Sequence, residues 1–247
     1  MNNGITILTF SETVDASTID PTQIILQNGF MAAVTYTISD LAYSIASNEP
    51  SPIIIVTLST KDVNDIKRIT VLGTQLNNSF LSFSANFVSD ESGNPVVPIP
   101  PCAALRAAVF MEDTTPPLLT LFFINITSGI LNTTFSETVN ILSFHFSGLT
   151  LVNGRPMNAN GVLQPVSSYT LTGGSLLSGL DGPVVAVKMT QYDLDAIFAM
   201  GNLATSVSDT YLITTSETVV DMVQNPLYPI PLNLPLQASA YYGTYGT

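Results

Sequence analysis

A chain of 247 residues with 18 acidic and 6 basic side chains carries a formal net charge of −12, and only 10% of its residues are charged. So few cations cannot neutralise a run of phosphates or hold an anionic bilayer surface, which argues against nucleic acid and anionic membranes as partners. A hydrophobic fraction of 46% supplies ample core material and argues against disorder, so the surface must be wetted mainly by hydroxyls and amides.

Taken in order, Ile5–Phe10 is an apolar, β-branched run that reads as a strand, and Ser11-Glu12-Thr13 as the turn or bulge that ends it. Gln23–Gln27 is a second strand between Asp20-Pro21-Thr22 and Asn28-Gly29, and Val34–Ile38 alternates cleanly. Pro52–Leu58 is continuously apolar, as expected of a central strand covered on both faces. A helix is predicted over Ser59–Leu72, capped by Ser59 or Thr60, with Asp62 in its first turn and Val63, Ile66 and Ile69 at helical spacing. This stripe reads as a lid on one end of a sandwich rather than a ligand site. Phe80–Ser84 returns to period two, Asp90–Pro95 is a tight turn around Gly93, and residues 103–110 are the last strand before Met111–Pro117, a linker stiffened by two prolines.

The same pattern then repeats. Phe10-Ser11-Glu12-Thr13-Val14 returns as Phe135-Ser136-Glu137-Thr138-Val139, and Val56–Ile66 aligns without gaps on Val187–Ile197. The second register continues through Asp90 on Asp221, Asn94-Pro95 on Asn225-Pro226, and Pro98-Ile99-Pro100 on Pro229-Ile230-Pro231. In the second copy Thr190 caps the helix, Asp193 is its first-turn acid, and Leu194, Ile197 and Met200 form the stripe. A repeat of this length is a whole domain and not a solenoid unit. The expected architecture is all-β: two tandem sandwiches, 1–111 and 112–247, each with one short helix.

Asp113-Thr114-Thr115-Pro116-Pro117, the strand after it, Phe135–Val139 and an Asp-x-x-x-Asn-Pro turn before the last strand resemble bacterial-type immunoglobulin-like repeats. The resemblance covers nearly the whole chain, the second copy most completely. It implies immunoglobulin-like sandwiches in tandem and a non-enzymatic, extracellular structural or adhesive role. Gln224 departs from it by standing where such turns carry glycine.

The second copy is preceded by Leu118–Ile126, a strongly apolar leading strand. In the first copy Asn2-Asn3-Gly4 already aligns with Thr127-Ser128-Gly129, so the matching strand is missing. A sandwich without that strand exposes unpaired backbone and apolar side chains, and requires a segment from elsewhere. No basic and apolar leader opens the chain, so it is expected to be processed or a fragment. The segment Leu236–Thr247 runs past the last turn, and its Tyr-Gly-Thr-Tyr-Gly-Thr end is expected to be free. Two sources of the missing strand follow: this tail of another subunit, or a preceding repeat on the same chain. The first yields a head-to-tail polymer with Ile5, Ile7, Tyr241, Tyr242 and Tyr245 at the subunit contact.

Catalytic chemistry finds few parts. His145 is the single histidine, read as a solvent-facing residue of a strand over Leu142–Ser147, and Cys102 is the single cysteine. No cofactor is expected, calcium aside: Glu12, Asp15, Asp90, Glu112 and Asp113 fall at turns where hard oxygen ligands could gather it. Asn77, Asn125 and Asn132 begin N-glycosylation acceptor triplets, so covalent glycans are a further expectation. No apolar run is long enough to insert in a membrane. The reading is an extracellular, non-enzymatic filament or surface-fibre subunit; the alternative is a calcium-dependent adhesion module of a large cell-surface protein.

Overall fold

The computed structural model describes residues 4–39, 44–45, 49–156 and 164–244. The chain divides into two units, Met1–Thr115 and Pro116–Thr247. The first unit takes in Asp113. Its carboxylate lies 2.5 Å from the Lys67 ammonium, and the two side chains are only 3% and 10% exposed.

The second unit contains β9 (Leu119–Asn125), β10 (Ile130–Val139), β11 (Leu149–Val152), β12 (Ser168–Thr170), β13 (Gly174–Leu176), β14 (Gly182–Met189), helix α2 (Gln191–Met200), β15 (Tyr211–Thr214), β16 (Leu236–Gln237) and β17 (Ala240–Tyr242). One sheet runs β13-β14-β10-β9-β17 and the other β12-β11-β15-β16. The chain therefore lays down two strands, crosses for two, returns for two, crosses for two more and comes back with β17, an immunoglobulin-type arrangement of two facing sheets. Alternation drives the packing: Leu131, Thr133 and Phe135 of β10 and Val185, Val187 and Met189 of β14 are buried, and the apolar ones join Phe122, Leu149, Leu151 and Leu212 in one cluster.

The first unit repeats this plan with β1 (Ile5–Asp15), β2 (Ile24–Gln27), β3 (Thr35–Thr37), β4 (Ser44–Ile45), β5 (Ser51–Thr57), helix α1 (Thr60–Arg68), β6 (Phe80–Phe83), β7 (Ser89–Asp90) and β8 (Leu105–Arg106). Its sheets are β4-β5-β1-β7 and β3-β2-β6-β8, closing on Ile24, Ile54, Val56, Ile66 and Phe87. The fold is all-β in both units, each with one short α-helix. Ser59 and Thr190 cap the helices, each accepting a bond from the N–H of the first-turn aspartate.

Three local expectations are corrected. Helix α1 ends at Arg68 and not at Leu72, because Ile69 leaves helical geometry at ψ 84°. The last strand of the first unit is Leu105–Arg106 rather than 103–110, since Pro101–Ala103 forms a 3-10 turn. Leu142–Ser147 is no strand: Asn140 accepts from the Leu142 N–H and starts one 3-10 turn, and a second begins at Phe146. His145 is exposed there, between the two turns.

The aspartate turns show why the glycine departure matters. Asp90 accepts from the N–H groups of Ser92 and Asn94, and Asp221 accepts from those of Val223 and Asn225. Both turns need a left-handed residue, Gly93 at φ 80° and Gln224 at φ 74°. A side chain in that region costs about 1–2 kcal/mol, part of which returns because glycine loosens the unfolded chain. Gln224→Gly is therefore expected to stabilise the second unit by up to about 1 kcal/mol in denaturant unfolding. A loss of stability would show that Gln224 contributes packing that outweighs its backbone strain.

Candidate functional site

The two units differ most at one edge. In the second, β10 is flanked by β14 and by β9, with Leu131 opposite Ile124 and Thr133 opposite Phe122. In the first, β1 pairs with β5 from Ile5 to Thr9, while β7 reaches only Val14 and Asp15 on its other side. Among the described residues nothing pairs with that other side over Ile5–Thr9.

Burial records the difference. Thr6, Leu8 and Phe10 face the core of the first unit yet are only half-buried, whereas Leu131, Thr133 and Phe135 at the same places are buried. On the outer face Ile5 and Ile7 are 51% and 62% exposed, beside Ile53 of β5 at 51%. The run Ile5–Phe10 carries no charge and no proline, so it lacks the usual devices that discourage pairing at an open edge.

The predicted tail contacts fall differently. Tyr241 and Tyr242 belong to β17, which lies parallel to β9 with Tyr241 opposite Ile124 and Tyr242 opposite Asn125. The Ile126 N–H donates to the Tyr242 carbonyl, the Phe123 and Tyr242 rings meet edge-on at 5.9 Å, and Tyr241 packs against the core. The expectation of a free tail is thus corrected for residues 242–244, the described part of the Tyr-Gly-Thr-Tyr-Gly-Thr end: a strand needs its backbone groups paired, and β9 offered an edge within the same unit. Tyr245 lies outside the described residues.

The acidic candidates scatter. Asp15 accepts from the Ser17 hydroxyl and N–H and caps a 3-10 turn, which holds its carboxyl below the usual range. Asp90 is lowered in the same way by the Asn94 side chain and the backbone of its turn. The pairing of β1 with β7 does bring Asp15 and Asp90 to the same strand end. Glu12 and Glu112 are exposed, and Asp113 is engaged by Lys67. The sequence reading passed over the second-copy partners of Glu12 and Asp90. Glu137 and Asp221 are 7% and 1% exposed, with carboxylate oxygens within 4.8 Å of one another. The repeat alignment already paired them with Glu12 and Asp90; what it could not show is that only the second pair is buried.

A second arrangement, also missed, occurs in both units. Asp193 is fully buried and its Oδ1 accepts from the Tyr169 hydroxyl at 2.9 Å, the Thr172 N–H at 3.1 Å and the Thr172 hydroxyl at 2.7 Å. Asp62, equally buried, accepts from the Tyr36 hydroxyl at 2.7 Å, the Ser39 N–H and hydroxyl, and the Ser59 hydroxyl. Burial alone pushes both carboxyls up, but these bonds outweigh it and both titrate below the ordinary value. The tyrosines move the other way: burial, then the adjacent aspartate, raises Tyr36 and pushes Tyr169 up to about 12. Each network ties the helix start to the edge strand, β3 or β12, and is structural in character. Tyr36 and Tyr169 stand at matching places in the two copies, which was the available signal.

Among the acceptor triplets, Asn77 is exposed in a 3-10 turn. Asn125 is half-buried and accepts from the Ser128 N–H. Asn132 is half-buried in the central strand β10, between Phe123 and Ala186.

No family model matches the chain, and no curated protein sequence matches it. Among solved structures it is similar to the CD2-binding domain of CD58 (lymphocyte function-associated antigen 3), at 9% identity and a TM-score of 0.17, over 77% of this chain and 94% of that one. It is also similar to the I9–I11 tandem from titin, at 10% identity and a TM-score of 0.18, over 96% of this chain and 62% of that one. Likeness this faint adds nothing to what the strand order shows. The chain is a tandem of immunoglobulin-like β-sandwich modules, and no helix among its described residues is long and apolar enough to cross a membrane.

Proposed function

We propose that this chain is a structural subunit of an extracellular filament or surface fibre, joined to neighbouring subunits by strand addition at the open edge of β1. The observation that carries the reading is the uncharged side of Ile5–Thr9, unpaired among the described residues, with its half-buried core residues. A donor strand and an open edge are unlike surfaces, so the contact is heterologous and propagates head to tail instead of closing. The role is non-enzymatic. An extracellular setting is supported by a surface poor in charge and by the exposed acceptor Asn77, which suits a covalent glycan. Sedimentation and electron microscopy of the purified chain over rising concentration test the reading. Concentration-dependent assembly into regular fibres, lost in Ile7→Lys, is expected; a folded monomer throughout the range would overturn it.

A second reading, a calcium-dependent adhesion module, is favoured by the buried approach of Glu137 to Asp221. Carboxylate oxygens are what this hard cation prefers, and two buried acids this close gain from a shared positive charge. Calcium should then raise the melting temperature of the second unit, and Glu137→Gln should remove the rise. Identical melting in calcium and in chelator would rule this reading out.

A further inference from the structure

The internal repeat specifies which strand the open edge accepts. We infer that the edge of β1 binds an extended, uncharged segment of another chain, running antiparallel to β1, with large apolar side chains at the positions that face Thr6, Leu8 and Phe10, the last of them set off by one extra residue as Leu119 is on β9. This rests on the strand-addition reading and adds direction, register and side-chain chemistry to it.

Phe10 matches Phe135, so Thr6, Leu8 and Phe10 match Leu131, Thr133 and Phe135. In the second unit those three residues lie opposite Ile124, Phe122 and Leu119 of β9, in antiparallel register. Ile124 and Phe122 are fully buried and Leu119 is 6% exposed. Residues of this size are what leave Leu131, Thr133 and Phe135 buried while Thr6, Leu8 and Phe10 remain half-open.

The outer face is also defined. Leu121 and Phe123 of β9 point outward, and the corresponding neighbours on β1 would be Thr9 and Ile7. Ile5, Ile7 and Ile53 make that face apolar in the first unit, so the incoming strand gains contact on both sides. Two aromatic-sized and three branched side chains, with the surfaces they cover, bury on the order of 1,000 Å², the lower bound of a specific interface. A polar or charged strand would leave Leu8 and Phe10 against unpaired groups. A one-residue slip would turn its apolar side chains to the wrong face.

The test places the segment Leu118–Ile126 ahead of Asn2 of the full chain, so that Ile126 of the added copy stands where Met1 was. The spacing then matches that between β9 and β10. A control carries serine at the added positions corresponding to Phe122 and Ile124. The first unit's melting transition should rise by roughly 10–20 °C, with slowed amide exchange over Ile5–Thr9, and the control should show neither. Equal gains in the control, or no gain from the apolar segment, would overturn the inference. If the added segment stabilises the first unit while the unmodified chain stays monomeric, the strand specificity stands and the filament reading fails. If it both stabilises the unit and abolishes assembly of the unmodified kind, both stand.

Discussion

Asp193→Ala is expected to destabilise the second unit by roughly 3–5 kcal/mol, among the largest effects of any single change outside the apolar core. The carboxylate receives three bonds, from the Tyr169 hydroxyl and from both donors of Thr172, and hydrogen bonds to a charged group contribute ~1.5–3 kcal/mol each. Alanine strands the tyrosine and threonine donors near a site that water reaches poorly. It also removes a negative charge from the first turn of α2, where the helix dipole favours one. Asp193→Asn keeps an acceptor in place and should lose less. Chemical denaturation of the three proteins checks the order.

The same carboxylates set an acid limb. Asp62 and Asp193 titrate lower in the folded chain than in the unfolded one, so their contribution is complete above the unfolded value near 4 and is lost as pH falls through the folded value. Tyr169, raised to about 12, behaves oppositely: its contribution is complete below about 10 and fades as pH rises towards 12. Stability should be flat between these limits. Asp193→Ala should flatten the second unit's acid limb, and an unchanged limb would refute the assignment.

Phe122→Ala should cost the second unit ~3–5 kcal/mol by opening a cavity beneath β9. Whole domains are stable by only ~5–15 kcal/mol, so this change nearly removes the margin. The wild-type chain is expected to unfold in two steps with the first unit leading, since its edge lacks what Phe122 and Ile124 supply to the second. Residue-resolved amide exchange reads the order directly. In Phe122→Ala the gap between the steps should close or reverse; a wild-type chain in which the second unit opens first would sink the account.

Much of this was legible in the residues because the chain states its plan twice. The repeated Phe-Ser-Glu-Thr-Val word lies at the end of β1 and of β10, and the two capped helices begin at Ser59 and Thr190 as their spacing required. Apolar alternation placed β2, β6 and the core faces. What stayed hidden depends on contacts distant in sequence. Nothing local in Ala240-Tyr241-Tyr242 says that it returns 117 residues to β9, as Ser239 does in bonding to Phe122. Asp193 reads as a helix-start acid until Tyr169 comes to it from another strand. Leu142–Ser147 alternates like a strand, but Asn140 caps a turn there, and a local side-chain bond decided the outcome. The burial of Glu137 beside Asp221, against the openness of Glu12, likewise follows from packing that identical words cannot express.

The parallel course of β17 beside β9 bears on how such a module carries load. Tension entering through Pro116 draws β9 towards its beginning, while tension leaving past Tyr242 draws β17 towards its end. Side by side and pointing the same way, the two strands are then pulled in opposite directions along their shared length. Under such a pull their bonds would slide and break together, not peel open one after another, and the last segment of the unit would work as a mechanical latch against stretching.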